Sequence, residues 1–456
     1  MHTESIWSFA PRFPRPIFFL LGLLAASWPG QAEGPARIDI RTHGAKGDGQ
    51  TSDRAAIQAA IDACREAGGG QVYMPPGRFI SGTIHLRSGV TLHLDAGARL
   101  VGTTNLTEYA RPTPPSFMPE AQWGKWHRGL IVAENAEDVA VTGLGLIDGN
   151  KVFDPTGEER MRGPHTIVFV NCRRFTLRDV TLADSANYAV FFQASDDVEI
   201  RNVKFVGGWD GVHWRGAPER WCRNVNIIGC QFYTGDDAIA GRYWHNTVIS
   251  DCLINSSCNG IRLIGPATRL TVANCLFRGP GEQPHRTSGE TRRTNMLSGI
   301  ILQPGAWDAT QGPLDEVLLA NNVMQQVASP VTLWNKPGNT VGRVTVHGLR
   351  ATGVYRAALS AESWAEAPIS QVVLRDVQVE YSGGGQAWPA EQPEQKNRIL
   401  AAARLRAQAA SAVSRRPWPL RAASPVHLRQ NLRVALHADF QTSCVAQEPC
   451  GLPCER

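Results

Sequence analysis

Several features that would have fixed the class of this 456-residue chain at once are missing from it. There is no GxxxxGK[ST] phosphate loop, and the Gly-rich segment Gly68 to Gly70 follows a helical stretch instead of preceding one, which excludes a P-loop nucleotide site. None of the ten cysteines stands in a C-x-x-C pair and no zinc spacing occurs, so neither a metal nor another cofactor is expected. The apolar run Pro16 to Ala26 is too short for a comfortable membrane span, and stable membrane insertion is not expected. An excess of charge of one sign is absent from most of the chain. Ten of the 46 Lys/Arg and five of the 41 Asp/Glu lie from Glu391 onward, leaving 36 of each in the first 390 residues. The formal charge of +5 therefore belongs to the tail and gives no signal for nucleic acid.

What is present is a repeat. The phrase apolar-x-apolar-x-(Gly/Asn/Asp)-x-x-apolar begins at Val139, Phe175, Val198, Val225, Thr247, Leu270, Val317, Val344 and Val372. Its fifth position holds Gly143, Asp179, Asn202, Gly229, Asp251, Asn274, Asn321, Gly348 and Asp376, and nothing else. These residue types enter the left-handed backbone region cheaply. Each phrase thus reads as two short alternating strands meeting at a one-residue bend. The starts lie 22 to 28 residues apart except for steps of 36 and 47. A period of that size means stacked supersecondary units. The expected fold is all-β, a right-handed parallel β-helix with a short N-terminal capping helix and nine or more coils.

The ends differ from the body. Arg12 and Arg15, the apolar run and Gly30-Gln31-Ala32 read as a secretory signal over residues 1–32, so the protein is expected to be secreted or periplasmic. Residues 33–104 read as the cap and first coils. Thr51 or Ser52 is placed to cap a helix whose apolar face is Ile57, Ala60, Ile61 and Cys64, with Gly68 to Gly70 as its stop. Such a helix covers the open end of a solenoid. Residues 105–390 form the β-helix proper. The basic Ala/Arg-rich tail, 391–456, is expected to be poorly ordered, with at most one phrase-like stretch at Asn431 to Phe440.

Counting along the phrases places the acids. Twelve residues after three successive starts come Asp210, Asp237 and Asn259, with Asp236 beside Asp237. Neighbouring strands lie about 4.8 Å apart, so equal offsets stack on one face. Carboxylates held that close shift one another's protonation, which suits a site where one group holds a proton and another accepts one. Against this stands a bland alternative, an Asp ladder capping turns. Flanking outward positions hold His213 and Arg215, then Arg242, then Arg262, cations suited to an anionic sugar, unless they only pair with the acids. The aromatics Trp209, Trp214, Tyr243 and Trp244 lie nearby and would offer a sugar ring an apolar face.

Two further expectations come from spacing. Cys230, Cys252 and Cys275 share the sixth phrase position and read as a buried thiol ladder, while a bridge between Cys222 and Cys258, or within Cys444, Cys450 and Cys454, stays open. The long step before Val317 places an insert between Arg278 and Met296, at the same turn that precedes the acids. It should overhang them and bring His285, Arg286, Arg292 or Arg293 close.

The cap (GAKGDGQTSDRAAIQAAIDAC with GGGQVYMPPGRF), the coil phrases, and the pair WDG (Trp209 to Gly211) and GDDAIA (Gly235 to Ala240) resemble glycoside hydrolase family 28, the polygalacturonases and related pectin hydrolases, from about Ile38 to Gly385. The resemblance implies Asp236 as general acid, with Asp210 and Asp237 activating water for inversion. The chain departs from the family pattern in three places. Gly208-Trp209-Asp210 replaces Asn-Thr-Asp, Cys258-Asn259-Gly260 replaces Gly-His-Gly, and Ile301-Leu302-Gln303 replaces the Arg-x-Lys that binds the uronate carboxylate. Arg262, one coil earlier, is placed to substitute. The expectation is a monomeric, secreted glycoside hydrolase acting on a pectin-like or other, including acidic, polysaccharide or oligosaccharide. A polysaccharide lyase or uronate epimerase, and a non-catalytic carbohydrate-binding β-helix, are the alternatives.

Overall fold

The computed structural model describes residues 36–117, 128–287, 290–306, 309–365, 367–382 and 433–436. Three long parallel sheets of 13, 12 and 10 strands run along the chain, each coil giving one strand to each sheet in turn. The nine phrases supply the seam between the first two sheets. Their opening strands, from Glu137–Gly143 to Ile369–Arg375, are successive members of the 13-stranded sheet. All nine bend residues have positive φ, from 48° at Asp376 to 111° at Gly143. The one-residue corner is why that position tolerates only Gly, Asn and Asp. A Cβ on Gly143 would also lie 2.0 Å from the Leu94 carbonyl oxygen.

Alternation then sets the core. In the strand Cys222–Ile228, Val225 and Ile227 are buried, and the register carries these columns through neighbouring coils to Val198 and Ile200 on one side and Thr247 and Ile249 on the other. Aromatic rings stack along the axis inside, with Trp214 against Trp244 at 3.9 Å and Phe205 against Phe232 at 4.6 Å between centroids. Cys230, Cys252 and Cys275 form the expected ladder. Cys252 and Cys275 place Sγ 3.1 and 3.3 Å from the carbonyl oxygens of Ser250 and Ala273. All seven described cysteines are buried and free, so Cys222 and Cys258 are not bridged; the tail cysteines lie outside the described residues.

The capping helix is Arg54–Glu66, with Ile57, Ala60, Ile61 and Cys64 buried. Its N-terminus differs from the expectation. Thr51 and Ser52 are absorbed into the strand Asp48–Ser52, and Asp53 takes the cap position. The Asp53 carboxylate turns away from the helix and accepts from the Lys46 and Gly47 amides, tying the preceding loop down. The signal-like segment lies outside the described residues. In the tail, the phrase-like stretch supplies the strand Arg433–Leu436, which pairs in parallel with Ile369–Arg375. Among the described residues no helix is long and apolar enough to cross a membrane.

Candidate active site

The third sheet carries the acids. Its central strands are His165–Val170, Val190–Gln193, Val212–Arg215, Ile239–Arg242, Asn259–Leu263 and Ser298–Leu302, in that spatial order. Each acid sits in the turn just before one of these strands. The Gly211 amide donates to the Asp237 carbonyl and the Ala238 amide to that of Asn259, so Asp210, Asp237 and Asn259 stack in one column as the spacing required. Asp210 and Asp237 are 3 and 4% exposed, and Asp236 is half-buried beside them.

Each carboxylate has a different set of partners. Asp236 Oδ2 accepts from Arg162 Nη2 at 3.1 Å, and its Oδ1 lies 3.8 Å from His285 Nδ1. Asp237 Oδ1 accepts from both the Asn259 side chain (2.7 Å) and its amide (3.1 Å), and Arg262 Nη1 stands 3.7 Å from Oδ2. Asp210 Oδ2 meets His213 Nδ1 at 2.7 Å, and His213 Nε2 accepts from Arg215 Nε at 2.9 Å. Burial would raise Asp236, but Arg162, His285 and Arg262 outweigh it and hold that carboxyl below the usual range. Burial pushes Asp210 well up, helped by the charges of Asp236 and Asp237. Burial also raises Asp237, and Arg262 and Asn259 offset only part of that.

Two inserts close in on this column, both at the turn leading to the third sheet. The first belongs to the 36-residue step and ends in Arg162, which is buried. Arg162 lies over the rings of Trp209 (5.2 Å) and Tyr188 (5.4 Å) and bonds Glu159 through Nε at 3.2 Å. The second is the expected 278–296 insert, which forms an antiparallel ribbon of His285–Thr287 with Glu290–Arg293. His285 donates from Nδ1 to the Gly235 carbonyl at 3.1 Å, and Arg293 bonds Ser257 O (3.2 Å) and Cys258 Sγ (3.0 Å). A Cβ on Gly235 would lie 2.6 Å from the Gly208 carbonyl oxygen and 2.9 Å from that of Pro284, so glycine is what lets the insert approach. Arg286 is exposed, and the side chain of Arg292 lies outside the described residues.

The expected flanking residues divide. His213, Arg215, Asn259 and Arg262 belong to the acid cluster, and Arg262 also reaches Gln303 Oε1 at 3.2 Å. Arg242 is buried in register with Arg215. The aromatics are corrected. Trp214 points into the core because His213 and Arg215 on either side point out, and its partner Trp244 is buried there with it. Trp209 is buried in an outer cluster with Met161, Val168 and Tyr188, where its ring lies under Arg162. Tyr243 is buried at the corner after its strand, edge-on to Trp221 at 5.6 Å. Arg162 was missed by spacing arguments, although the 36-residue step was the signal that an insert stood at that turn. Asn259 stands where the family pattern has His, and Cys258 beside it lies within 4.8 Å of carboxylate oxygens of Asp236 and Asp237.

The family model described as a right-handed beta helix region matches residues 165–283, and that described as rhamnogalacturonase A/epimerase, pectate lyase-like, matches residues 37–107. An exo-poly-alpha-D-galacturonosidase of Dickeya chrysanthemi is 25% identical over 45% of this chain and 42% of its own length. An exopolygalacturonase of Arabidopsis thaliana is 22% identical over 76% of this chain and 78% of its own. The chain spans less than half the length of the first of these. A solved exopolygalacturonase from Thermotoga maritima superposes with a TM-score of 0.61 at 19% identity, covering 76% of this chain and 88% of that one, a likeness of fold. The fold is thus a right-handed parallel β-helix. The relatives are galacturonan hydrolases by name, at low identity, and the matches fit a divergent member of glycoside hydrolase family 28.

Proposed function

We propose that this chain is an exported glycoside hydrolase that removes sugars from the end of an acidic, uronate-containing polysaccharide. The observation that carries the reading is the column Asp210, Asp236, Asp237, three carboxylates crowded on one face and surrounded by Arg162, Arg262, Arg293, His213 and His285. Hydrolysis needs one group to protonate the leaving oxygen and another to take a proton from water. Three acids with unequal partners supply both states at one pH. Arg162, Arg262 and Arg293 around the column favour a sugar that brings its own carboxylate. The inserts support action at a chain end, since one reaches Asp236 from three coils before and the other reaches Gly235 from two coils after, walling the groove along the solenoid axis. Inversion, as the family resemblance implies, would place water between the acids and the anomeric carbon. Export rests on the signal-like segment at residues 12–32.

The test is incubation with defined uronate-containing oligosaccharides. Release of single sugars from one end, with an inverted anomer in the first proton NMR spectrum, is the expected result. A product absorbing in the ultraviolet, formed without water uptake, would make the protein a lyase; binding without turnover would make it a carbohydrate-binding protein.

A further inference from the structure

We infer that Arg293, carried to the site by the second insert, binds the carboxylate of the uronate sugar seated beside the acids. The inference rests on the uronate-hydrolase reading and names the residue that selects the sugar. In the family pattern this task falls to an Arg-x-Lys, whose place Ile301-Leu302-Gln303 takes here. Neither replacement is charged: Ile301 is apolar, and Gln303 Oε1 accepts from Arg262 Nη2 at 3.2 Å.

The cations nearest the acids are already engaged. Arg162 pairs with Asp236 at 3.1 Å and with Glu159 at 3.2 Å. Arg262, which the spacing offers as a substitute, stands between Asp237, 3.7 Å away, and Gln303. Arg293 differs from both. Among the described residues no carboxylate lies within ion-pairing reach of it, and its partners are the Ser257 carbonyl oxygen at 3.2 Å and Cys258 Sγ at 3.0 Å. Those bonds use Nε and one proton of Nη2. A guanidinium has five N–H donors, so the edge formed by Nη1 and the second Nη2 proton stays open on a half-buried side chain. A fork of that kind matches the two oxygens of a carboxylate. Its position suits a substrate. Cys258 Sγ, which Arg293 touches, is itself within 4.8 Å of carboxylate oxygens of Asp236 and Asp237, so the open edge lies about one sugar unit from both acids.

The base of the insert holds this group still. Asn255, 1% exposed, donates from Nδ2 to the Arg278 and Pro280 carbonyls at 2.6 and 2.8 Å and accepts from the Glu282 amide at 2.7 Å. A Cβ on Gly281 would lie 2.1 Å from Ser257 Oγ, so the insert presses directly on the residue whose carbonyl Arg293 bonds. A guanidinium anchored in this way has little freedom left to lose on binding. Arg293 reaches the site from the turn before the strand Asn259–Leu263, whereas Ile301 and Gln303 stand on the strand side of the acids. The sugar's carboxylate therefore points toward the turn.

The experiment measures kcat/KM on a uronate oligosaccharide and on its methyl ester, the same chain without its charges. The unsubstituted protein should prefer the free acid by roughly 10- to 100-fold, the worth of one charge-assisted pair. Arg293→Gln should erase that preference by slowing the free acid alone, chiefly through KM, and Arg293→Lys should restore part of it. Arg286→Gln, on the exposed side of the same ribbon, should leave it intact. Equal losses on acid and ester in Arg293→Gln would mean that Arg293 only pins the Cys258 turn, and the assignment would fall. A preference that survives Arg293→Gln but vanishes in Arg262→Gln would overturn it too. Calorimetric titration with a uronate trisaccharide, in an Asp237→Asn background to stop turnover, gives a second readout: Arg293→Gln should weaken binding by a similar factor. Binding that depends on Arg293, with neither substrate cleaved by the unsubstituted protein, keeps the assignment and removes the hydrolase reading. Cleavage of acid and ester at equal rates does the reverse, and no binding at all overturns both.

Discussion

The same residue in the same repeat has two fates in this molecule. At the bend between the first and second sheets, Asp179 and Asp251 use the left-handed region, with φ of 69° and 56°, and each accepts from the Asn one coil on, at 3.3 and 3.4 Å. They are half-buried or exposed and finish a corner. At the turn into the third sheet, Asp210, Asp236 and Asp237 are equally regular in spacing, yet they are covered by inserts and meet Arg162, His285 and Arg262. Stacking alone therefore makes no site. What makes one is exclusion of water together with unequal countercharge, because each perturbs a carboxyl only when the solvent no longer screens it.

Activity is the sharpest way to break the comparison. Asp237→Ala should reduce turnover on a uronate oligosaccharide by about 10²- to 10⁴-fold, whereas Asp251→Ala should leave it unchanged. Equal losses would mean that the ladder, not the cleft, matters to function. The next effect concerns the two faces of one strand. Trp214→Ala removes a ring stacked inside the solenoid and should cost about 3–5 kcal/mol in denaturant unfolding. A loss of substrate affinity with little change in stability would restore Trp214 to the binding face.

A smaller effect is a matter of pH. Asp210 is raised in the folded state, so its contribution to stability is fully present below the ordinary carboxylate range and is lost as pH rises toward the folded value. Asn has no such loss. Asp210→Asn should accordingly raise Tm at neutral pH, with the gain shrinking as pH falls toward about 4. A gain independent of pH would show that the acid is not perturbed. Buried His165 has the opposite character: burial first, then the charges of Arg162 and Arg215, depresses it to about 3. Its contribution to stability is fully present above about 6.5 and is lost as pH falls below that. The smallest expected effect is at the bend, where Asp251→Ala places an alanine in the left-handed region and should cost about 1–2 kcal/mol. Asp251→Gly should cost less, and a larger loss for Gly would mean that the carboxylate bond to Asn274 outweighs the backbone.

Sequence alone determined the solenoid, its register and the column of acids. The reason is that a coil of fixed length turns position in the phrase into position in space: all nine bend residues fall in the left-handed region, and Asp210, Asp237 and Asn259 stack because their offsets are equal. The stretch after Asn431 carried enough of the phrase to pair as a strand, for the same reason. The 278–296 insert was also legible as an overhang, since its excess length fell at a known turn. Only the tertiary structure decided which cation meets which acid. Arg162 comes from an insert with no periodicity, and its distance from Asp236, 74 residues away, depends on how that insert packs on Trp209 and Tyr188. The aromatics were misplaced because closeness in sequence says nothing of facing: Trp214 is between His213 and Arg215 in the chain and on the opposite side of the sheet from both.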